Sequence, residues 1–386
     1  VYLACLIDDD ADVRFVPEIE RRVWRLVCKR IRPRWRKALA VRSLVRSKPV
    51  TVDYFYSRPL QRQVDEIVDS VDIDAVFCFS SPMAEYVFRS RHAEGKLRRA
   101  RRVVDLIDVD SHKWRQYAEG SSAWRAWVYR YEAAHLAAYE RRIALSFDRV
   151  LVVSEAERRM FPMAEPCCHI EVLSNGVDLD YFRPTKGRDD DTRRPTIVFT
   201  GVMDYWPNVE GMMWFVQSVL PRVRAAVPDV ELLIVGSRPT KEIERLASYR
   251  GVVITGVVED VRPFVARADA CIAPLRIARG IQNKVLEGMA MGKAVVCTPQ
   301  AHEGVRAQAG RDLVLAESEE EFASATVDLL RDSEKAEVLG GNARQFVERN
   351  YAWESNLAVL DRLLVADAAR PVAHELSPDC GMGVLG

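Results

Sequence analysis

Ala273-Pro274-Leu275-Arg276-Ile277-Ala278-Arg279-Gly280-Ile281-Gln282-Asn283-Lys284-Val285-Leu286-Glu287-Gly288-Met289-Ala290-Met291-Gly292-Lys293-Ala294-Val295-Val296 reads as the end of a strand, a basic loop, a helix and the start of a second strand. Gly280 interrupts the loop, and Val285, Leu286, Met289 and Ala290 then recur at helical spacing on one face. Gly280, Lys284, Glu287 and Met291 fall on another face, because residues three or four apart on a helix are neighbours. A helix N-terminus preceded by Arg276 and Arg279 and carrying Lys284 suits a diphosphate, since unpaired backbone donors and the helix dipole both favour an anion there. Glu287, about one turn further in, can accept two vicinal hydroxyls of a ribose or hexose. Anion donors beside a diol acceptor are what a sugar nucleotide requires. The other reading of Lys284 and Glu287 is an exposed ion pair, which contributes little.

Outward from that segment, apolar runs at 196–200, 230–235, 252–255, 270–274, 294–298 and 312–316 alternate with helical stretches, the rhythm of a parallel sheet covered on both faces. Three runs end at Gly201, Gly236 and Gly256, where a ligand can approach backbone. Ligands bind at the carboxyl ends of such strands, so these glycines and the loop 276–280 are expected to ring one crevice. In the first half, buried strands are expected at 1–7, 74–79, 102–111 and 149–153, the third turning acidic at its end. Helices are expected at 12–24 and 59–70 and through the aromatic-rich stretch 114–145. Ser154 and Glu157 have the spacing of a capping box. Asn175-Gly176 marks a turn, and the polar stretch 184–195 follows, so a domain boundary is placed here. Trp353, Leu357, Leu360 and Leu364 form a stripe along the last helix.

A chain of 386 residues predicts two domains, and 48% hydrophobic with 29% charged residues is the balance of an ordinary globular protein. Lys plus Arg equals Asp plus Glu at 56 each, so net charge points to no polyanionic partner. The eight cysteines are scattered, with only Cys167-Cys168 adjacent, which fits reduced thiols in a cytoplasmic protein and not a disulfide framework or zinc site. No apolar run reaches the roughly 20 residues of a membrane span, and the opening residues do not read as a secretory leader. From 21 to 48 there are twelve Lys or Arg and no acid, interleaved with Trp24 and Trp35. That stretch suits contact with anionic lipid at the inner face of a plasma membrane, or nucleic acid, or is a solvated basic face.

Taken together the motifs resemble a known family. Asn175-Gly176-Val177-Asp178, Tyr181-Phe182-Arg183-Pro184, Phe199-Thr200-Gly201, Gly256 and Val285-Leu286-Glu287-Gly288-Met289-Ala290-Met291-Gly292 with Val295-Val296 resemble the retaining glycosyltransferases of family 4, which have the GT-B fold. More closely, Met203-Asp204-Tyr205-Trp206-Pro207-Asn208, the run from Pro274 to Lys284, and Val109-Asp110-Ser111-His112-Lys113-Trp114 are similar to the sugar transferases of exosortase/PEP-CTERM exopolysaccharide systems. The likeness runs from Val1 to about Leu364. It implies an α/β chain with two Rossmann-like domains facing a central cleft: an acceptor domain at 1–178, a nucleotide-sugar domain at 179–350, a helix at 351–367 that crosses back, and a disordered tail at 368–386. The donor implied is a UDP- or GDP-sugar and the acceptor a glycan or lipid-linked glycan. No metal or other cofactor is implied, and no nucleic acid is expected as partner. Gly201, Asn208, Gly236, Gly256, Val258, Arg276, Gly280, Lys284 and Glu287 become donor-binding candidates, with Val257 and Val258 flanking the base. Arg279 would act on the phosphates. Asp108, Asp110 and His112 become candidates for orienting the acceptor hydroxyl, with a helix cap at Asp110 or Ser111 as the other reading. His302-Glu303-Gly304 is a candidate contact for the donor sugar.

Three departures from the family pattern stand out. The family commonly has two acidic residues eight apart; here Glu287 is the second, and Arg279 occupies the first position. Met203 and Asn208 stand in a loop that commonly carries Arg and Lys, so positive charge is expected to have moved to Arg276, Arg279 and Lys284 on the other wall. Family members also begin with a further strand, a glycine-containing loop and a helix before the segment matching Val1. Truncation is therefore expected, because losing an interior strand would expose an apolar edge. A sugar-nucleotide epimerase or hydrolase of the same fold and a non-catalytic nucleotide-sugar-binding protein are the rival readings.

Overall fold

The computed structural model describes residues 1–31, 47–119, 121–161, 169–185, 194–278 and 280–365. They divide into two compact units, one of 1–104, 146–149 and 360 onward, the other of 105–145 and 150–359. Arg279, Trp35, the adjacent cysteines 167 and 168 and the tail 368–386 lie outside the described residues, as does most of the basic stretch, 32–46.

In the first unit, β1 (Tyr2–Ile7) and β2 (Arg25–Arg30) pair in parallel, with Cys5 opposite Cys28. A 3-10 turn at Asp10–Phe15 and a short helix at Val16–Glu20 join them, where one helix over 12–24 is expected. The difference arises because Val27 is buried in a strand whose ends are arginine, so basic residues mask a β-segment. β3 (Ala75–Phe79) lies beside β4 (Arg101–Asp105). The helix Arg58–Ser70 packs Leu60 and Ile67 with Val27 and Tyr86. The Tyr86 hydroxyl accepts from the Ser57 N–H at 2.7 Å and donates to the Phe55 carbonyl at 2.9 Å, so this buried phenol is satisfied. β3 is not the buried strand expected: Phe77 and Phe79 are 37% and 60% exposed. Every residue of Tyr2 to Leu6 and of Ala75 to Phe79 borders one apolar cavity of about 640 Å³. Consecutive residues, not alternate ones, face it, and among the described residues β1 and β3 each have a strand partner on one side, β2 and β4.

In the second unit, β5 (Arg149–Val152) and β6 (Ile170–Val172) pair in parallel. Beyond them lies a six-stranded sheet of β7 (Thr196–Thr200), β8 (Glu231–Val235), β9 (Val252–Gly256), β10 (Ala270–Ala273), β11 (Ala294–Cys297) and β12 (Val314–Leu315). Its order is β12-β11-β10-β7-β8-β9 and every pairing is parallel. These are the strands expected from the second half of the sequence, with ends moved by one or two residues. Their runs are continuously apolar because both faces are covered, with Phe199, Leu232 and Val296 fully buried. Strand order reverses between β7 and β10, the place where an open α/β sheet leaves a crevice.

Residues 105–145 and 150–178 group with the second unit, where the sequence places a domain boundary near 178. The last helix, Trp353–Leu364, begins in that unit, where the Asn356 side-chain amide donates to the Asn175 carbonyl at 2.9 Å. A Cβ on Gly176 would lie 2.4 Å from the Trp353 ring, so that position must be glycine for the indole to seat. From Leu360 the helix belongs to the first unit, where Arg101 Nε donates to the Leu363 carbonyl at 3.1 Å. The buried residue is Leu363, while Trp353 and Leu357 of the expected stripe are exposed.

Candidate functional site

A cavity of about 880 Å³ lies at the carboxyl ends of β7, β8 and β9, bordered by Gly201, Asn208, Gly236, Val258, Lys284 and Glu287. Two of these glycines are fixed by close approach: a Cβ on Gly236 would stand 1.6 Å from the Gly201 carbonyl oxygen, and one on Gly201 2.8 Å from Asn208 Nδ2. Asn208 is 3% exposed; its Nδ2 donates to the Val202 carbonyl at 2.8 Å, and its Oδ1 accepts from Lys284 Nζ at 3.1 Å. The Lys284 ammonium also lies 5.4 Å from the centre of the Phe199 ring. Burial pushes the Lys284 pKa down to about 8, with Glu287 opposing the shift. Burial raises the Glu287 carboxyl in turn, opposed by Lys284. These side chains are therefore drawn out of water at the cavity wall and are not the exposed pair of the alternative reading.

Lys284 stands on the first turn of the helix Asn283–Ala290, and no side chain caps that helix at Gln282. The Asn283 side-chain carbonyl accepts from the Asn175 amide at 3.0 Å, which ties the helix start to the Asn-Gly turn. An uncapped helix terminus with a half-buried ammonium is a ready anion site.

The structure brings Gly201, Asn208, Gly236, Val258, Lys284 and Glu287 to this one cavity. Gly256 stands just outside, at a φ of 67° that turns the chain so that Val257 and Val258 reach the wall. Arg276 does not border it. Its guanidinium is paired with Glu210 and lies 5.7 Å from the Trp214 ring, because a carboxylate on the helix Trp206–Trp214 is the nearer partner. Among the described residues, Lys284 alone of the expected cations borders the cavity, since Arg279 lies outside them. Gly280 serves backbone packing: a Cβ on Gly304 would stand 2.3 Å from its carbonyl oxygen. His302 Nε2 is engaged with the Ala307 carbonyl at 2.7 Å.

Sequence reasoning missed Arg238, whose backbone takes a φ of 55° and whose side chain pairs at 3.9 Å with Asp204 on the cavity wall. It also missed Tyr205, which borders the cavity and whose hydroxyl is pushed up to about 12 by burial, a hydrogen bond with Tyr117 and the charge of Asp108. The strand expected through 111 stops at Asp105. Asp108 stands just before the helix Asp110–Glu119, Asp110 and His112 lie in its first turn, and none of the three borders the donor cavity. Of the expected capping box, Ser154 Oγ accepts from the Glu157 N–H at 3.2 Å, but the Glu157 carboxylate goes instead to the Val109 N–H at 2.7 Å.

Residues 194–332 match the family model described as glycosyl transferases group 1, a span that covers the six-stranded sheet from β7 to β12. The Anabaena protein HepE, solved in complex with UDP-glucose, superposes with a TM-score of 0.63 at 16% identity, covering 93% of this chain and 91% of that one. The fold is GT-B. A GDP-mannose-dependent alpha-(1-6)-phosphatidylinositol monomannoside mannosyltransferase of Mycobacterium tuberculosis is 31% identical over 254 residues, 60% of this chain and 65% of that protein. An uncharacterized 44.6 kDa protein in the cps region of Klebsiella pneumoniae is 24% identical over 247 residues, 61% of each. The chain thus spans about three fifths of the length of the curated relatives it matches. Residues 194–332 thus carry the group 1 match within a chain of GT-B fold.

Proposed function

We propose that this protein is a retaining glycosyltransferase of family 4, akin to those of exosortase/PEP-CTERM exopolysaccharide systems. It moves a sugar from a UDP- or GDP-sugar to a glycan or lipid-linked acceptor. The observation that carries the reading is the Lys284 ammonium, held by Asn208 on an uncapped helix terminus beside Glu287 in the cavity at the strand ends. In the transfer, the bond from the anomeric carbon to the diphosphate oxygen breaks, the acceptor oxygen bonds that carbon, and the acceptor's proton passes to the departing diphosphate. Lys284 and the helix terminus stabilise the charge that develops on the diphosphate, the kind of electrostatic help that is usually the largest catalytic contribution. Glu287 accepts the ribose hydroxyls, and Val257 and Val258 flank the base. No metal step is proposed, because these groups take the diphosphate charge. The relatives support both donor classes, since one is a GDP-mannose-dependent enzyme and another was solved with UDP-glucose; the phosphatidylinositol monomannoside of the first supports a lipid-linked acceptor. The basic stretch 21–48 would then rest on anionic lipid on the cytoplasmic side of the membrane. Among the described residues no helix is long and apolar enough to cross a membrane.

The test is incubation with radiolabelled UDP-glucose and GDP-mannose, with octyl glycosides as acceptors and without them, reading product configuration by NMR. Acceptor-dependent transfer with the anomeric configuration kept is expected. Donor conversion without acceptor would make the protein an epimerase or hydrolase, and nucleotide binding without turnover would make it a binding protein.

A further inference from the structure

We propose that Asp108 orients the acceptor hydroxyl beside the loop that leads into the Lys284 helix, and that the buried carboxylates of Asp105, Glu157 and Glu140 are positioning residues that hold it there through a strained turn. This rests on the glycosyl-transfer reading and assigns its acceptor side.

The chain leaves β4 at Asp105 and reverses at once. Ile107 has a φ of 67°, and the Asp108 N–H donates back to the Leu106 carbonyl at 2.9 Å, a γ-turn of the rare hand centred on a β-branched residue. Such a conformation is strained and persists only where its surroundings over-determine it. Here they do. Asp105 Oδ1 accepts from the Ile107 N–H at 2.9 Å, and the Ile107 carbonyl accepts from the Val153 N–H at 2.9 Å. Glu157 Oε2 accepts from the Val109 N–H at 2.7 Å, and Glu140 Oε1 and Oε2 accept from the Ser111 N–H and hydroxyl at 2.9 and 2.5 Å. The three carboxylate residues are 8%, 3% and 0% exposed. Burying carboxylates is costly, and stability alone does not call for three of them around one short loop. Glu140 suffices to start the helix Asp110–Glu119; the turn at Ile107 serves no helix.

What the turn delivers is Asp108. Its Oδ1 would be 2.6 Å from a Cβ on Gly280, so the carboxylate lies against the loop that leads into the Lys284 helix. Its charge reaches the Tyr205 hydroxyl, and Tyr205 borders the donor cavity. A half-buried acceptor of hydrogen bonds beside the donor site is what an incoming sugar hydroxyl needs. An extended Ile107 would carry the side chain of Asp108 away from Gly280. Asp108 is not consumed: the hydroxyl donates to it while the substrates assemble, and as the new bond forms that single proton turns from Asp108 to the departing diphosphate oxygen.

The experiment compares Asp108→Ala, Glu157→Ala and Glu157→Gln with the unsubstituted protein. Kinetics are read with octyl glycosides, UDP and GDP affinity by calorimetry, and binding of the octyl glycoside in the presence of UDP by saturation-transfer NMR. Asp108→Ala, which removes the accepting oxygen, is expected to lower kcat/KM for the acceptor by roughly 100-fold, and Glu157→Ala to raise the acceptor KM about tenfold, with nucleotide affinity unchanged in both. Glu157→Gln, which still offers a side-chain oxygen to the Val109 N–H, is expected to restore acceptor KM. Equal behaviour of the two Glu157 variants, or unaltered acceptor kinetics in Asp108→Ala, overturns the assignment. If no transfer occurs at all, the functional reading fails by itself. The acceptor assignment is then decided by NMR: glycoside binding lost in Asp108→Ala upholds it, and binding retained, or absent from the unsubstituted protein, overturns it.

Discussion

Raising the pH from 7 to 9 is expected to weaken nucleoside diphosphate binding about tenfold, and the cause is Lys284. Its pKa stands near 8 because burial disfavours the ammonium. The charged fraction therefore falls from roughly nine tenths at pH 7 to one tenth at pH 9. If the ammonium carries the diphosphate contact, affinity falls in that proportion, by ~1.4 kcal/mol. A bound diphosphate favours the charged form, so binding near pH 8 is also expected to take up about half a proton per site. Calorimetry with UDP and GDP in two buffers of different ionisation enthalpy measures both quantities. The sign for the free protein runs the other way. A lysine whose folded pKa is depressed makes the unfolded chain bind the extra proton between pH 8 and 10.5, so this group's contribution to stability improves as pH rises through that window. Flat affinity from pH 7 to 9, or the same slope in Lys284→Met, would refute the reasoning.

Other substitutions separate the roles further. Glu287→Ala is expected to weaken UDP and UMP equally, by roughly 10- to 100-fold, since a ribose contact is common to both; it also removes the charge that supports the Lys284 ammonium, moving the pH midpoint lower. Arg276→Ala is expected to leave nucleotide affinity within about twofold, because the pair it breaks is with Glu210 outside the cavity and half-exposed; a large loss would return Arg276 to the phosphates. Gly236→Ala places a methyl group against the Gly201 carbonyl and is expected to cost about 3 kcal/mol or more, read as a fall of several degrees in melting temperature.

Much of the second unit is legible in the sequence, because the central strands of its parallel sheet are buried on both faces and leave unbroken apolar runs. β2 is hidden for the opposite reason, since its few apolar residues stand among arginines. Lys284 and Asn208 are each recognisable as candidates, yet their bond joins positions 76 apart and only the fold brings them together. Arg276 misleads because its true partner, Glu210, is equally remote in sequence. Ile107 misleads more deeply. An isoleucine in an apolar run reads as strand, and nothing local announces that Asp105 with two distant carboxylates, Glu140 and Glu157, will hold the loop in a left-handed turn. Tyr205 carries no signal of its own, because its environment comes from a helix about 90 positions earlier.

Among the described residues, β1 of the first unit pairs with β2 alone, and Phe77 and Phe79 of β3 stand exposed. The second unit has a six-stranded sheet with fully buried strands at its centre. Cooperativity is therefore expected to be uneven. Amides of Tyr2–Ile7 and Ala75–Phe79 would exchange with deuterated solvent long before those of Thr196–Thr200, and on heating the amino-terminal unit would melt first. A nucleotide seated at Lys284 would raise only the later transition, so a two-step melting curve whose upper half alone responds to UDP or GDP would report how independently the two units are built.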